Sequence, residues 1–189
     1  MKPTALDPKT ALVLIDLQKG ITRLPTIHAP GPVIARAARL AAAFRSRSLP
    51  VVLVHVAFSN DESDRLCLRV ANARPLTPLP VDYAEFEEAL ERQPGDLVVT
   101  KRQWGAFYGT DLDLQLRRRQ VTGIVLAGIA TSMGVESTAR QAFEHGYNVT
   151  IAIDSVTDLD VKAHARSLDW IFPMLGELGT TEEIIALLP

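Results

Sequence analysis

Two charged residues and one loop are the part of this sequence best suited to chemistry. Asp16 directly follows the apolar run Ala11–Ile15, and Lys101 directly follows a second run, Asp96–Thr100. The loop Ile129–Gly134 follows a third run and opens a helical segment. A carboxyl group can donate a proton, an ammonium group can hold and polarise a substrate, and the first turn of a helix offers free N–H groups. Brought together, these groups would form an acid–base site.

Each of these features also has an ordinary structural explanation. An aspartate after a buried strand is often a turn or cap residue, and a lysine there is usually a solvated strand end. The pair Thr131–Ser132 at the start of a helix is typical of an N-cap. The spacing therefore predicts a candidate site and leaves the reaction open.

The surrounding segments alternate between strand and helix patterns. Five apolar runs have strand length and lack polar alternation, which indicates burial on both faces, as in a parallel sheet. They are Ala11–Ile15, Val51–Phe58, Asp96–Thr100, Gly123–Gly128 and Asn148–Ile153. Helical periodicity separates them, in a segment opened by Gly31–Pro32, at Leu112–Arg119 and at Thr131–His145. This order predicts a three-layer α/β/α sandwich.

Local signals define the helices further. The predicted inward-facing stripes are Val33, Ala37, Ala41 and Phe44 in the first, and Val135, Ala139, Ala142 and Phe143 in the third. Gly146 predicts a left-handed helix end, and Thr180 with Glu183 predicts a capping box before a last helix.

The predicted sheet brings the candidate residues to one edge. Ligands of such sheets bind at the carboxyl ends of the strands, near the point where strand order reverses. Asp16, Lys101 and Ile129–Gly134 all follow strands. The stretch Asn60–Tyr83 has three prolines and little periodicity. We expect it to cross the same edge and line the site.

The composition indicates one globular domain, residues 1–189. With 47% hydrophobic and 22% charged residues, a chain of this length buries about 70% of its unfolded surface. The formal net charge is -2. It provides no general attraction to nucleic acid or anionic membranes, so we expect neither as a partner.

Cysteine use and the opening residues favour the cytoplasm. The single cysteine, Cys67, cannot form an intramolecular disulfide, and four scattered histidines do not suggest a zinc site. The opening MKPTALDPKT has two prolines and an aspartate where a signal peptide would be apolar, and no apolar run is long enough to cross a membrane. We predict no metal and no cofactor.

Three motifs carry a family resemblance. VLIDLQKG at 13–20, TKRQWGAF at 100–107 and VLAGIATSMGVESTARQAFEHGYNVTIAIDSVTD at 125–158 resemble the isochorismatase-like hydrolase superfamily in order and spacing. The resemblance covers nearly the whole chain. It implies a Rossmann-like fold with six parallel strands, assembly as a homodimer or larger homo-oligomer, and a cis peptide between Ile129 and Ala130.

The resemblance also implies a catalytic aspartate, lysine and cysteine. Asp16 and Lys101 match the first two positions. In the family pattern T-x-x-C-V this chain reads Thr131-Ser132-Met133-Gly134-Val135, so Gly134 stands at the nucleophile position without a thiol. Cys67 matches no catalytic position, and we expect it to be a small buried hydrophobe.

Substrate contacts follow from the same motifs. The implied binding residues are Gln18, Trp104, Phe107, Ile129, Ala130, Thr131 and Met133. Trp104 and Phe107 could wall the pocket or serve ordinary packing. Arg23, His28, His55 and Arg102 could contact an acidic substrate, although lone residues of these types are more often surface groups.

The missing thiol favours one reaction type. The family's amidases need a thiolate to form an acyl-enzyme, and a glycine cannot supply one. Its isochorismatases protonate carbon and add water to the resulting oxocarbenium ion, and they resemble this chain in having glycine there. We therefore predict acid-catalysed hydrolysis of an enol-ether-type bond in a small metabolite, with Asp16 as proton donor and Lys101 positioning the substrate. Gly134 would leave room for substrate or water.

Alternatives remain open. The residues His55–Ser59 offer no counterpart to the glutamine that isochorismatases use, so isochorismate itself is not assigned. The D-x-H motif of metal-dependent nicotinamidases is absent. A catalytically inactive ligand-binding or scaffold member would fit the same residues, and Ser132 or Thr131 could replace the thiol, although neither has an adjacent histidine in sequence.

Overall fold

The computed structural model describes residues 2–72 and 77–189. Its centre is one six-stranded parallel sheet with the strand order β3-β2-β1-β4-β5-β6. The strands are β1 (Thr10–Ile15), β2 (Val51–Val56), β3 (Leu97–Lys101), β4 (Gly123–Ile129), β5 (Asn148–Thr157) and β6 (Glu177–Gly179). The predicted α/β fold with six strands is confirmed.

Helices cover both faces of this sheet. They are α1 (Lys19–Thr22), α2 (Pro30–Ser46), α3 (Leu112–Arg118), α4 (Glu136–Glu144), α5 (Val161–Arg166), α6 (Phe172–Leu175) and α7 (Thr181–Ala186). Single π-helical turns, Thr131–Val135 and Ser167–Ile171, lead into α4 and α6, and Glu88–Leu90 forms a 3₁₀ turn. Among the described residues, no helix is long and apolar enough to cross a membrane.

The continuous apolar runs reflect this two-sided burial. In β1, Ala11, Val13 and Ile15 pack into the core cluster under α3, α4 and α6. Leu12 and Leu14 point the other way, into the cluster under α2 and α7. Because successive strand residues face opposite sides, a strand between two helical layers needs apolar residues at every position.

Most local predictions agree with the structure. All four stripe residues of α2 are buried, Gly146 has a φ of +80° after α4, and Thr180 and Glu183 form the capping box. Phe143 is wrong as an inward-facing residue, since it is 52% exposed. At about 100° per residue it lies on the flank of α4, and Thr138 is buried on that helix instead.

The strand order reverses between β1 and β4, and this reversal brings the candidate residues together. The end of β1, Ile15, pairs with Val54 on one side and Gly128 on the other. Lys101 is the last residue of β3 and pairs with Val56. The carboxyl ends of four neighbouring strands therefore surround Asp16, as expected for a ligand site in this topology.

Candidate active site

Asp16 and Lys101 form an ion pair at the bottom of this edge. The Nζ of Lys101 donates to the Oδ2 of Asp16 at 2.8 Å, and it also donates to the carbonyl of Gln103 at 3.0 Å. The side chains are only 8% and 2% exposed for Asp16 and Lys101, respectively. The two charges are therefore well shielded from water.

Asp16 is held in an unusual backbone conformation. Its φ is +52°, in the left-handed region that aspartate tolerates better than most residues. Its N–H donates to the carbonyl of Val54 at 2.9 Å, which fixes the turn at the end of β1. This sharp turn ends the strand and places Asp16 in the lining of a cavity at the carboxyl edge of the sheet.

The Asp16 carboxyl has the properties of an acid rather than of a simple counter-ion. Burial raises its pKa from 3.8 to about 6, although the charge and the hydrogen bond of Lys101 act in the opposite direction. Its Oδ1 is buried and has no hydrogen-bond partner among the described residues. Since Oδ2 accepts from Lys101, Oδ1 is the oxygen that can carry a proton.

Gly134 lies against both Asp16 and the end of β1. A Cβ atom at this position would lie 2.9 Å from the Cγ2 of Ile15 and 3.3 Å from the Oδ2 of Asp16. The end of β1 takes the space that a side chain at 134 would need, and it approaches the loop closely because residue 134 has no side chain. Gly134 itself lines the cavity, and the room that it leaves there for substrate or water stays a prediction.

The loop that carries Gly134 is fixed by polar contacts. The Ile129–Ala130 peptide is cis, as the resemblance implies. The carbonyl of Ala130 accepts from the N–H groups of Met133 and Val135 at 3.1 Å each. The N–H of Ser132 donates to Asp158 at 2.6 Å, which anchors the loop to the end of β5.

A cavity of about 340 Å³ opens above these residues. Its walls come from the ends of β1, β2, β3 and β4, from the loops that follow them and from Leu159 after β5. The lining residues are Asp16, Ile21, Leu24, Val56, Phe58, Arg65, Leu66, Tyr83, Lys101, Arg102, Gln103, Trp104, Ile129, Ala130, Met133, Gly134 and Leu159. Most of the wall is apolar, and the Asp16–Lys101 pair supplies charged groups within it.

The structure brings most of the predicted site residues to this cavity. Besides Asp16, Lys101 and Gly134, the lining includes Trp104, Ile129, Ala130 and Met133. Three predicted contacts are absent from it: Gln18, Phe107 and Thr131. Each of the three is buried and has another structural role.

Phe107 and Thr131 belong to the interior. Phe107 packs against Tyr147, with ring centroids 5.7 Å apart, and against His145 at 5.1 Å. Ordinary packing thus explains Phe107. Thr131 shares a hydrogen bond of 2.8 Å with the Nδ1 of His164, so its hydroxyl faces α5. Neither Thr131 nor His164 lines the cavity, so this pair does not place a nucleophile beside Asp16 and Lys101.

Gln18 connects two backbone segments next to the site through its side-chain amide. Its amide nitrogen donates to the carbonyls of Val56 and Tyr83 at 2.9 and 2.8 Å, and its amide oxygen accepts from the N–H of Val56 at 2.8 Å. All of these partners are backbone groups. Gln18 therefore fixes the end of β2 and the Tyr83 segment, rather than contacting the cavity.

The stretch after β2 supplies residues that no motif identified. Within Asn60–Tyr83, the side chains of Arg65, Leu66 and Tyr83 line the cavity. The prediction that this stretch crosses the edge and lines the site holds for these residues, while residues 73–76 lie outside the described part. Its irregular, proline-rich composition was the only sequence signal for these contacts.

The structure also shows where the remaining candidate contacts and the single cysteine lie. Arg102 lines the cavity and pairs with Asp64, whereas Arg23 pairs with Asp82 at 2.6 Å outside it. His28 and His55 are not in the lining. Cys67 is exposed, so the expectation of a buried hydrophobe is wrong. Its segment runs over the surface beyond β2, where no core forms.

Other parts of the described structure are weaker candidates for a catalytic site. A larger cavity, about 530 Å³, lies at the opposite edge of the sheet, where Arg45 and Asp96 pair with each other at 2.7 Å. Across residues 2–72 and 77–189, no three histidine, cysteine, aspartate or glutamate side chains group closely enough to hold a metal ion. The Asp16–Lys101 cavity is the better candidate for a reaction.

Comparison with known proteins identifies the family. Residues 10–183 match the model of the Isochorismatase domain. The isochorismatase family protein YecD of Escherichia coli O157:H7 is 45% identical over 179 residues, covering 93% of this chain and 94% of YecD. The ureidoacrylate amidohydrolase RutB of Methylobacterium radiotolerans is 33% identical over 180 residues, covering 82% of this chain and 69% of RutB.

A solved structure agrees over the full length. An isochorismatase family protein from Burkholderia thailandensis superposes with a TM-score of 0.95 at 48% sequence identity. The match covers 100% of this chain and 99% of that chain. On the strength of the domain match, the sequence relatives and this structural agreement, the chain belongs to the isochorismatase family of hydrolases.

Proposed function

We propose that this chain hydrolyses an enol-ether-type bond in a small acidic metabolite without a covalent intermediate. The observation that carries the proposal is the buried Asp16 carboxyl, which is paired with Lys101 at the cavity. Gly134 lines the same cavity and stands where the family pattern has its nucleophilic cysteine. An acid and a cation are present there, and a nucleophile is not. Acid catalysis is the chemistry that such a set can perform.

Asp16 acts as the proton donor. A catalytic acid works best when its pKa lies near the working pH, and burial raises the pKa of Asp16 to about 6. The protonated oxygen is Oδ1, which is free of protein partners among the described residues. Lys101 stabilises the carboxylate that remains after transfer, because its ammonium group already contacts Oδ2.

The bonds change in a balanced sequence. The π electrons of the enol ether take the Asp16 proton onto the terminal carbon, and the ether carbon becomes an oxocarbenium ion. A water molecule adds to that carbon and returns a proton to Asp16. The resulting hemiketal loses the alcohol and forms a ketone. Two of the three Lys101 N–H bonds are used by Asp16 and Gln103, which leaves one for substrate or water.

The walls of the cavity support an acidic, partly apolar substrate. Three cationic side chains line the cavity: Arg65, Lys101 and Arg102. Each is paired with one carboxylate, and each keeps further N–H groups that can donate to a ligand oxygen. Apolar residues such as Val56, Leu159 and Met133 make up much of the remaining wall. A volume of about 340 Å³ is at the lower end of the range for small-molecule sites.

Thiol-dependent amide hydrolysis is less well supported. RutB is an amidohydrolase by name, but residue 134 of this chain has no side chain, and a thiolate is what that mechanism requires. Cys67 is exposed and does not line the cavity. Ser132 lies in the loop, and its N–H is bonded to Asp158.

The test is to incubate the purified protein with isochorismate and other enol ethers of pyruvate and to follow pyruvate release. We expect turnover of at least one of them, and its loss in Asp16→Asn, which keeps the shape of the side chain but removes the acid. The exposed Asp169→Asn is the matched control and should retain activity. Absence of turnover on every enol ether, with ligand binding intact, would instead identify a binding or scaffold protein.

A further inference from the structure

Tyr83 is a cavity residue whose backbone is firmly fixed. Its carbonyl accepts from the amide of Gln18 at 2.8 Å and from the N–H of Gly20 at 3.0 Å. Its own N–H donates to the carbonyl of Pro80 at 2.9 Å. The half-buried side chain lines the same cavity as Asp16. The protein therefore holds this tyrosine in place by its main chain.

The ring of Tyr83 lies directly against Gly20. A Cβ atom on Gly20 would lie 2.1 Å from the Cδ2 of Tyr83, 2.6 Å from its Cε2 and 2.7 Å from its Cγ. Real side chains do not approach so closely, so the contact exists only because residue 20 is glycine. Gly20 is thus the surface on which the ring rests, at the start of α1.

The phenol hydroxyl of Tyr83 makes no hydrogen bond to the described residues, and Tyr83 lines the cavity. All hydrogen bonds described above for Tyr83 use its backbone. A tyrosine hydroxyl in a half-buried position usually finds a hydrogen-bond partner. Burial raises the pKa of this hydroxyl, and the charge of Asp16 raises it further, so it stays protonated and able to donate.

We propose that Tyr83, positioned by Gly20, is a substrate-binding residue that donates a hydrogen bond from its hydroxyl to an oxygen of the acidic ligand beside Asp16 and Lys101. This inference rests on the proposed use of the cavity as the substrate site. Tyr83 would be a binding residue from a segment without a family motif. The contact with its ring would also explain why residue 20 is glycine.

Equilibrium binding tests the inference without turnover. The chain has two tryptophans, of which Trp104 lines the cavity and Trp170 is exposed elsewhere. In a Trp170→Phe background, the fluorescence of Trp104 reports on binding. The probes are pyruvate, 2-oxobutyrate and 3-hydroxybenzoate, each of which has a carboxylate and one further oxygen in a ketone or hydroxyl group.

We expect at least one probe to bind, and Tyr83→Phe to raise its Kd about 3- to 10-fold, as the loss of one hydrogen bond predicts. Tyr108→Phe removes a hydroxyl from an exposed ring outside the cavity and should leave the Kd unchanged. Equal Kd values for the parent and Tyr83→Phe, or binding of none of the three probes, would overturn the inference.

The role of Gly20 is tested by a double-mutant cycle. Gly20→Ala should weaken probe binding in the parent, because its methyl group displaces the Tyr83 ring. In a Tyr83→Ala background the same substitution should have no further effect, because no ring is left to move. Additive losses would refute the positioning of Tyr83 by Gly20. Failure of enol ether turnover would leave these binding results standing, so the two proposals fail separately.

Discussion

Gly134 and Asp16 are so close that a Cβ atom on residue 134 would stand 3.3 Å from the carboxylate oxygen that Lys101 contacts. The carboxyl group therefore lies beside the position from which a side chain at 134 would start. A side chain at 134 would require these neighbours to move by a few tenths of an ångström. Glycine at this position thus allows Asp16 to lie closely against the loop.

Gly134→Cys should lower enol ether hydrolysis by at least tenfold and should not create amidase activity. Its Cβ would press on Asp16 and on the Cγ2 of Ile15, which lies only 2.9 Å away. The carboxyl group would have to move by a few tenths of an ångström. Since misplacement of about 1 Å can reduce a rate 100-fold, a shift of this size is enough to lower the rate substantially. Turnover of enol ethers and of ureido amides is measured side by side.

Gly134→Ala is the matched control for this substitution. It adds the same Cβ without a thiol, so it should lower hydrolysis similarly and destabilise the fold by about 1 to 3 kcal/mol through overpacking. Amidase activity in Gly134→Cys but not in Gly134→Ala would reveal a thiol-hydrolase site that lacks only its sulfur, and would contradict acid catalysis as the native chemistry.

The pH profile should report the ionisation of Asp16. The acid acts only when protonated, and its pKa is raised to about 6. The value of kcat/KM should therefore be level below that pH and fall about tenfold for each pH unit above it. In Lys101→Met the break should move to higher pH, because the charge and hydrogen bond that lower the Asp16 pKa are gone.

Lys162→Met changes an exposed lysine on α5 and should leave the profile where it was. If Lys101→Met retains measurable activity and its break moves to lower pH, or if the parent rate rises above pH 6, then Asp16 does not act as the acid.

The same ionisation should appear in the stability of the fold. The pKa of Asp16 is higher in the folded chain than its ordinary value of 3.8. Its contribution to the free energy of unfolding is therefore fully present below pH 3.8 and is lost as the pH rises through 6, by about 3 kcal/mol in total.

Replacing both members of the pair should remove this pH dependence. Asp16→Asn alone leaves the buried Lys101 ammonium without its counter-ion, and Lys101→Met alone leaves the buried Asp16 carboxyl without its cation, so each should destabilise the chain by about 3 kcal/mol at neutral pH. The double variant should be more stable than either single variant. Urea unfolding at several pH values measures all four proteins, and a double variant less stable than both singles would rule out this account.

The sequence predicted the centre of the site better than its walls. Asp16 and Lys101 follow apolar runs that are buried on both sides, and parallel strands bring such ends to one edge. Phe107 and Gln18 share the same motifs, yet they face the interior because neighbouring positions in a loop can point to opposite sides. Loop residues have no regular periodicity, so the sequence does not indicate which way these side chains point.

Long-range contacts account for the other failures. Tyr83 meets Gly20 across more than sixty positions of the chain, and the sequence between them includes an irregular stretch. Phe143 follows the apolar pattern of α4 but lies on its flank, beyond the contact with the sheet. Burial of this kind depends on where the neighbouring elements end, which a local pattern does not contain.

Cys67 should react as a free surface thiol without effect on catalysis. It is exposed, in the stretch after β2, and it does not line the cavity. Ellman's reagent should label it completely in the folded protein, and Cys67→Ser should keep the parental rate. A labelled protein that loses activity while the Cys67→Ser variant also loses it would indicate that this thiol takes part in the reaction.

Gln18→Met should lower the free energy of unfolding by about 3 kcal/mol, because three backbone hydrogen bonds at a fully buried amide are lost at roughly 1 kcal/mol each. Gln93→Met is the control, since the Gln93 side chain is exposed and its amide donates to a single carbonyl, that of Glu91. Urea unfolding compares the two variants. Equal stability would mean that Gln18 does not fix the end of β2, whereas a selective loss, accompanied by weaker probe binding, would show that this glutamine acts on the cavity through the backbone of Tyr83.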